Sequence, residues 1–162
     1  MIETVTFQTI GIIHTPFGEP QGTPISSLAG CGVKGTIEIF EKYAEGLKDI
    51  DGFSHLSLIY YMHRVQKEGL VGVPFMDTKP HGVFAMRSPL RPNHIGISIV
   101  KLVAVHANIL DIEDLDILDG TPLLDIKPYI PDVDSRTECR IGWFTSNIHK
   151  MSSTRDDGRY SA

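Results

Sequence analysis

The chain has 162 residues, 41% of them hydrophobic and 22% charged, with 15 Gly and 10 Pro. That length suits one domain with a core of its own, and the Gly and Pro content predicts short elements joined by many turns. A formal net charge of −5 excludes a surface that attracts nucleic acid everywhere, so any RNA partner must meet a local basic patch.

Residues 5–14 (VTFQTIGIIH) are rich in β-branched side chains and predict a first strand. Pro16, Gly18, Pro20, Gly22 and Pro24 then break the chain into a loop reaching about Lys34. Residues 36–40 (TIEIF) alternate like a half-buried strand, residues 41–47 suit a short helix, and the run Asp49-Ile50-Asp51-Gly52 ends it. Residues 53–63 (FSHLSLIYYMH) place Leu56, Leu58, Tyr60 and Met62 on one face, with His55, Ser57, Ile59, Tyr61 and His63 on the other, as a central strand would. A loop from Arg64 to about His81 leads into a predicted strand at 82–87. Extended chain at 95–106 turns at Ala107-Asn108, with Asn taking the left-handed conformation, and returns through 109–118. After a turn at 119–122, a last strand covers 123–130.

Six or more strands and one convincing helix predict a mainly β fold: a small single-sheet β-barrel with one short helix, rich in loops. The barrel domain is assigned to residues 1–140 and a C-terminal extension to 141–162. The end of that extension (KMSSTRDDGRYSA) is polar enough to be disordered or loosely docked.

Cys31 and Cys139 form no C-x-x-C pattern and are expected as unpaired thiols in a reducing cytoplasm. No apolar run approaches the roughly 20 residues of a membrane span, and residues 1–9 lack the parts of a signal peptide. The seven histidines show no metal-ligand spacing, so no metal is expected. Gly30-Cys31-Gly32-Val33-Lys34-Gly35 matches G-x-G-x-x-G, but a polar loop precedes it and a strand follows, the wrong context for a dinucleotide fold.

In Arg87-Ser88-Pro89-Leu90-Arg91-Pro92-Asn93, two prolines stiffen the backbone around two arginines, which suits binding of a carboxylate or phosphate. Arg91 and Asn93 are accordingly candidate substrate contacts. Asp125, Lys127 and Tyr129 are spaced by two and set a carboxylate, an amine and a phenol along one strand face, beside the turn Asp119-Gly120.

Taken together, DIDGFSHL at 49–56, GVFAMRSP at 82–89 with Arg91-Pro92-Asn93 and Ile95-Gly96, LDGTP at 118–122 and DIKPY at 125–129 resemble the successive signatures of the TrmO/TsaA-like family. The opening IGIIHTPF at 10–17 is similar to its first strand. The resemblance implies a dimeric β-barrel methyltransferase that uses S-adenosyl-L-methionine to methylate N6 of threonylcarbamoyladenosine beside the anticodon of tRNA. It implies cofactor contacts from Pro24, Ile25 and Ser26, from His63 and Arg64, from Arg87 and Ile97, and from the turn segment Ile117, Leu118, Asp119 and Gly120. Ile25 and Ser26 depart from the family's usual Arg-Gln or Gln, and Met86 stands where Thr is usual. Bacterial members carry a further C-terminal domain, whereas this sequence ends about 30 residues after Tyr129.

For the chemistry, Asp125 is the expected base or orienter, Lys127 an electrostatic partner for the substrate's carboxylate, and Tyr129 a stacking or hydrogen-bonding group. The competing expectation is a module that binds S-adenosyl-L-methionine, or methylates a small molecule, without acting on tRNA.

Overall fold

The computed structural model of the chain describes residues 1–161. Its strands are β1 (Gly11–His14), β2 (Lys34–Ile39), β3 (His55–Tyr61), β4 (Val71–Gly72), β5 (His81–Gly82), β6 (Ile95–His106), β7 (Ile109–Glu113) and β8 (Thr121–Pro128). Six of them close an antiparallel barrel in the order β1-β2-β7-β6-β3-β8, and β4 and β5 form a separate ribbon.

Alternation along the strands fills the barrel. Leu56, Leu58 and Tyr60 of β3 point inward with Val100 and Leu102 of β6, and Ile37, Ile39, Leu110, Ile112, Ile13 and Leu123 complete the core. Burying each aliphatic side chain contributes about 1.5–3 kcal/mol. On β6 the inward positions also include Gly96 and Ser98, while Ile95, Ile97, Ile99 and Val103 face outward at 38–53% exposure.

The sequence expectations need correction at several places. The first strand is only four residues long, and Val5 and Phe7 lie exposed outside it, because main-chain bonds to β8 and to the end of β2 begin only at Ile10. The strand predicted at 82–87 is replaced by β5 and a 3₁₀ turn, Val83–Ala85. Both edges of β6 are taken by β3 and β7, so this segment has no place in the barrel and pairs with β4 alone. The short helix is a 3₁₀ helix, Glu41–Leu47, and a one-turn α-helix, α1 (Pro131–Asp134), was not anticipated. At the β6–β7 turn the left-handed residue is Ala107, with φ 56°, whereas Asn108 spends its side-chain amide on the Ile39 carbonyl at 2.7 Å.

The C-terminal segment, expected to be disordered or loosely docked, is instead stitched to two loops; Ala162 lies outside the described residues. Main-chain bonds join Gly22 and Thr23 to Asp156, and Ile25 to Thr154. Tyr160 is buried and donates to the Val73 carbonyl, and Arg159 donates to Val73 and Pro74. A polar sequence docks this way because backbone and side-chain hydrogen bonds, more than apolar area, hold it. No helix among the described residues is long and apolar enough to cross a membrane.

The glycine pattern at 30–35 has a packing role. A Cβ on Gly30 would run into the Leu115 carbonyl and one on Gly35 into that of His14, while the Gly32 N–H donates to the Asp114 carboxylate. Gly96 lies opposite Tyr60 in the β3–β6 register, and a Cβ there would strike the phenol ring. Gly96→Ala is therefore expected to cost about 1–3 kcal/mol through overpacking and to displace the Tyr60 hydroxyl. Denaturant unfolding checks the first effect; an unchanged midpoint would show that the ring moves freely.

Candidate functional site

A cavity of about 820 Å³ opens at the mouth of the barrel, over the outer faces of β3 and β6. Four excursions wall it: the loop after β1, the long connection from β3 to β6, the connection from β7 to β8, and the C-terminal segment. The volume lies within the range of small-molecule sites, roughly 300–1,000 Å³.

Nine of the eleven expected cofactor positions line this one cavity: Pro24, Ile25, Ser26, His63, Arg64, Arg87, Ile97, Ile117 and Leu118. Asp119 and Gly120 do not. Asp119 instead accepts a hydrogen bond from the Thr15 N–H at 3.0 Å and lies 3.7 Å from His14, and the Gly120 N–H donates to the Ile13 carbonyl. These two residues clamp the turn that carries Ile117 and Leu118 onto β1.

Arg91 and Asn93 line the same cavity, but Arg91 is partly occupied, donating to the carbonyls of Met86 and Ser88 at 3.2 and 3.1 Å. Arg64 is paired with Glu19 at 3.1 Å. Arg87, exposed in the cavity wall, forms no hydrogen bond or ion pair among the described residues and is the guanidinium left for a ligand anion. The Ser88 hydroxyl also faces this region, buried and without a hydrogen-bond partner.

Asp125, Lys127 and Tyr129 lie outside the cavity. Asp125 pairs with Lys127 at 3.0 Å, both partly exposed, and the two stand opposite Ile59 and Ser57 on the barrel's outer wall. Tyr129, beyond the end of β8, packs edge-on against His55. A bulge next to Tyr60 shifts the register of the β3–β8 pairing.

The sequence reading missed a chain of three polar groups at the cavity floor, Tyr60, Ser98 and Asp116. The Ser98 hydroxyl donates to Asp116 Oδ1 at 2.6 Å, which leaves Tyr60 as donor in its 2.9 Å bond to Ser98 Oγ. Burial and the nearby Asp116 charge push the Tyr60 phenol well above its usual range, so it stays a donor. Burial pushes the Asp116 carboxyl up to about 6, against the opposing effects of the Ser98 bond and the Arg87 charge. The residue as a whole is half-buried because it lines the cavity, but the packing around its carboxyl is dense and decides the titration. His63 is held below the usual imidazole range by burial and by Arg64, which keeps it neutral near pH 7. Among the described residues no three of His, Cys, Asp or Glu gather as a metal site.

Trp143, Phe144, Met151 and Tyr160 of the C-terminal segment also line the cavity. Trp143 stacks on His81, 4.7 Å between centroids, and donates its indole N–H to Ala85.

The raised Asp116 pKa has a consequence for stability. The folded state favours the protonated form, so this stabilisation is complete below the unfolded value near 4 and is lost as pH rises through about 6. Asp116→Asn escapes that loss. It should match the parent at pH 4 and exceed it by up to about 2 kcal/mol at pH 8, a figure already discounted for solvent reaching the cavity. Melting curves at the two pH values test this, and a constant difference between the proteins would refute it.

Residues 12–135 match the family model described as the tRNA-methyltransferase O N-terminal domain. A Pyrococcus abyssi relative named "Probable S-adenosyl-L-methionine-binding protein" is 54% identical over 96% of this chain and 85% of its own length. The Escherichia coli tRNA (adenine(37)-N6)-methyltransferase is 35% identical over 80% of this chain, which spans only 59% of that enzyme. The crystal structure of TrmO from Pseudomonas aeruginosa superposes with a TM-score of 0.72 at 34% identity, covering 86% of this chain and 62% of that one. The chain therefore belongs to the tRNA-methyltransferase O N-terminal domain family.

Proposed function

We propose that this protein binds S-adenosyl-L-methionine in the barrel-mouth cavity and transfers its methyl group to N6 of adenosine 37 in tRNA. The threonylcarbamoyl-modified adenosine is the substrate on this reading, because a carbonyl on N6 makes its remaining N–H more acidic. The observation that carries the reading is the convergence of nine expected cofactor positions, from segments far apart in sequence, on one cavity. The naming of the E. coli and mouse relatives as tRNA (adenine(37)-N6)-methyltransferases supports the reaction. Such an activity belongs in the cytoplasm, with tRNA.

The residues present suit the cofactor. Apolar walls from Ile97, Ile117 and Leu118 accept the adenosine portion, Arg87 suits the carboxylate, and the unpartnered Ser88 hydroxyl offers a further polar contact. Bound there, S-adenosyl-L-methionine supplies a methyl group activated by its sulfonium. The protein's part is to orient the two reactants and exclude water. Asp125, Lys127 and Tyr129, outside the cavity, are assigned to the surface that faces the RNA.

A homodimer completes the reading. Ile95, Ile97 and Ile99 on the outer wall of β6, with Tyr61 beside them, form an exposed apolar strip continuous with the cavity, and a second copy would cover it. The competing function, cofactor binding without tRNA methylation, is favoured by the net charge of −5 and by the pairing of Arg64.

Isothermal titration should show binding of S-adenosyl-L-methionine without added metal, weakened about tenfold or more by Arg87→Ala and changed less than about twofold by Lys127→Ala. Mass spectrometry of nucleosides from tRNA incubated with protein and cofactor should reveal the N6-methylated product. Binding without product would select the competing function, and no binding would remove both. Light scattering should give a dimer that Ile97→Asp weakens; a monomer at every concentration would contradict the assembly.

A further inference from the structure

We propose that Asp116 is the proton acceptor in methyl transfer, with Ser98 and Tyr60 as the positioning residues that hold its carboxylate. This rests on the methyltransferase reading above and names the base that the reading leaves open.

Asp116 directly precedes Ile117 and Leu118, two of the positions that line the cavity as expected cofactor contacts. Buried Leu115 and Ile117 flank it and anchor its backbone to the core. Its Oδ1 accepts the Ser98 hydroxyl, while Oδ2 has no hydrogen-bond partner among the described residues. No Lys, Arg or His among them lies within ion-pair distance of the carboxyl. Asp125 differs on each count, being ion-paired to Lys127 and outside the cavity.

The surroundings tune Asp116 for proton transfer near neutrality. Tyr60 faces it from β3 through Ser98 of β6, and the Arg87 charge acts on it from the connection between those strands. His63 and Arg64, Arg91, Asp134, Asp156 and Tyr160 are the other titratable groups of the cavity wall. A carboxyl raised to about 6 is ionised at pH 7 yet more basic than an exposed aspartate, which suits a general base.

In the step itself, the N6 nitrogen forms a bond to the methyl carbon as the carbon–sulfur bond breaks, its electron pair remaining on sulfur. The N6 proton passes to Asp116 Oδ2, and from the carboxyl to solvent after the product leaves. Charge balances, since the sulfonium cation and the carboxylate become a neutral thioether and a neutral acid.

Single-turnover methylation of tRNA at saturating cofactor, followed against pH, tests the assignment. The parent rate should fall below about pH 6, and Asp116→Asn should be at least about a hundredfold slower throughout. Affinities for S-adenosyl-L-methionine and S-adenosylhomocysteine should stay within about threefold of the parent's. His63, held below the usual imidazole range, lines the same cavity, so Ser98→Ala assigns the limb: losing the donated hydrogen bond raises the Asp116 pKa and should move the acid limb upward, whereas Ser98 makes no hydrogen bond to His63 among the described residues. Carbon-13 NMR of the carboxyls in ligand-free protein should show one group titrating near pH 6 that is absent in Asp116→Asn and shifted up in Ser98→Ala.

Methylation by Asp116→Asn within threefold of the parent would overturn the proposal while leaving the function intact. So would an equal loss of affinity for both ligands, which marks a cofactor anchor. If Asp116→Asn does not fold, an unmoved limb in Ser98→Ala overturns it. A parent protein that binds cofactor but methylates no tRNA would end the tRNA reading and this assignment together.

Discussion

A barrel closed by six strands has an interior only wide enough for its own side chains, and that constraint decides where a ligand can sit. Barrel diameter grows with strand number, and about eight strands are needed before the inside leaves room for a small ligand. Here Ile13, Ile37, Leu56, Leu58, Val100, Leu110, Ile112 and Leu123 fill the space, all at most 1% exposed. A site must therefore be built at the mouth and over the outer wall. The chain builds it with excursions that leave the barrel at His14, Tyr61, Glu113 and Pro128 and meet at one mouth.

The apolar core gives way to chemistry at Tyr60 and Ser98, the inward-facing side chains nearest the mouth on β3 and, past Gly96, on β6. Leaving either hydroxyl unsatisfied there would cost about 1–3 kcal/mol, and linking both to Asp116 avoids that penalty. The chain has a direction: phenol to serine hydroxyl to carboxylate. Its end is a carboxyl that burial makes reluctant to ionise, an arrangement that lowers stability at neutral pH. Gly96 belongs to the same construction, because its missing side chain makes room for the Tyr60 ring.

Strand periodicity made most of the barrel legible. β2, β3, β6 and β8 fall within a few residues of their predicted spans, since the alternation that buries one face is a local property of the sequence; the return strand predicted at 109–118 stops at Glu113, and residues 114–118 leave the sheet for the cavity wall. What failed depended on partners. Residues 82–87 have strand character but no free edge to join, and residues 5–9 lie beyond the first main-chain pairing, at Ile10. The cofactor positions emerged from the resemblance, and nine of them meet in the cavity. Asp116 was illegible for a different reason: it is one of several acidic residues in DIEDLDILD at 111–119, and only the packing of Leu115 and Ile117 sets it apart. Ser98 was hidden by the Ile95, Ile97 and Ile99 stripe, which pattern alone assigns to the core although it faces outward. The row of Asp125, Lys127 and Tyr129 shares the barrel's outer face as its spacing requires, but it runs along β8, and periodicity does not say which strands the cavity covers.

The family match ends at residue 135, yet the cavity wall continues through Trp143, Met151 and Tyr160. This last segment bonds mainly to the two excursions, joining residues 22–26 to residues 73–76, so the loop bearing Pro24, Ile25 and Ser26 is held in place from the far end of the chain. The Ser26 hydroxyl, for example, donates to the Met151 carbonyl at 3.2 Å. The cavity thus exists only when segments separated by more than a hundred residues have all assembled. Ordering those segments costs conformational entropy that little apolar burial in the tail offsets. A ligand that touches several of them at once favours the assembled form over all partly opened ones, so its binding energy is coupled to docking of the tail as well as to the barrel.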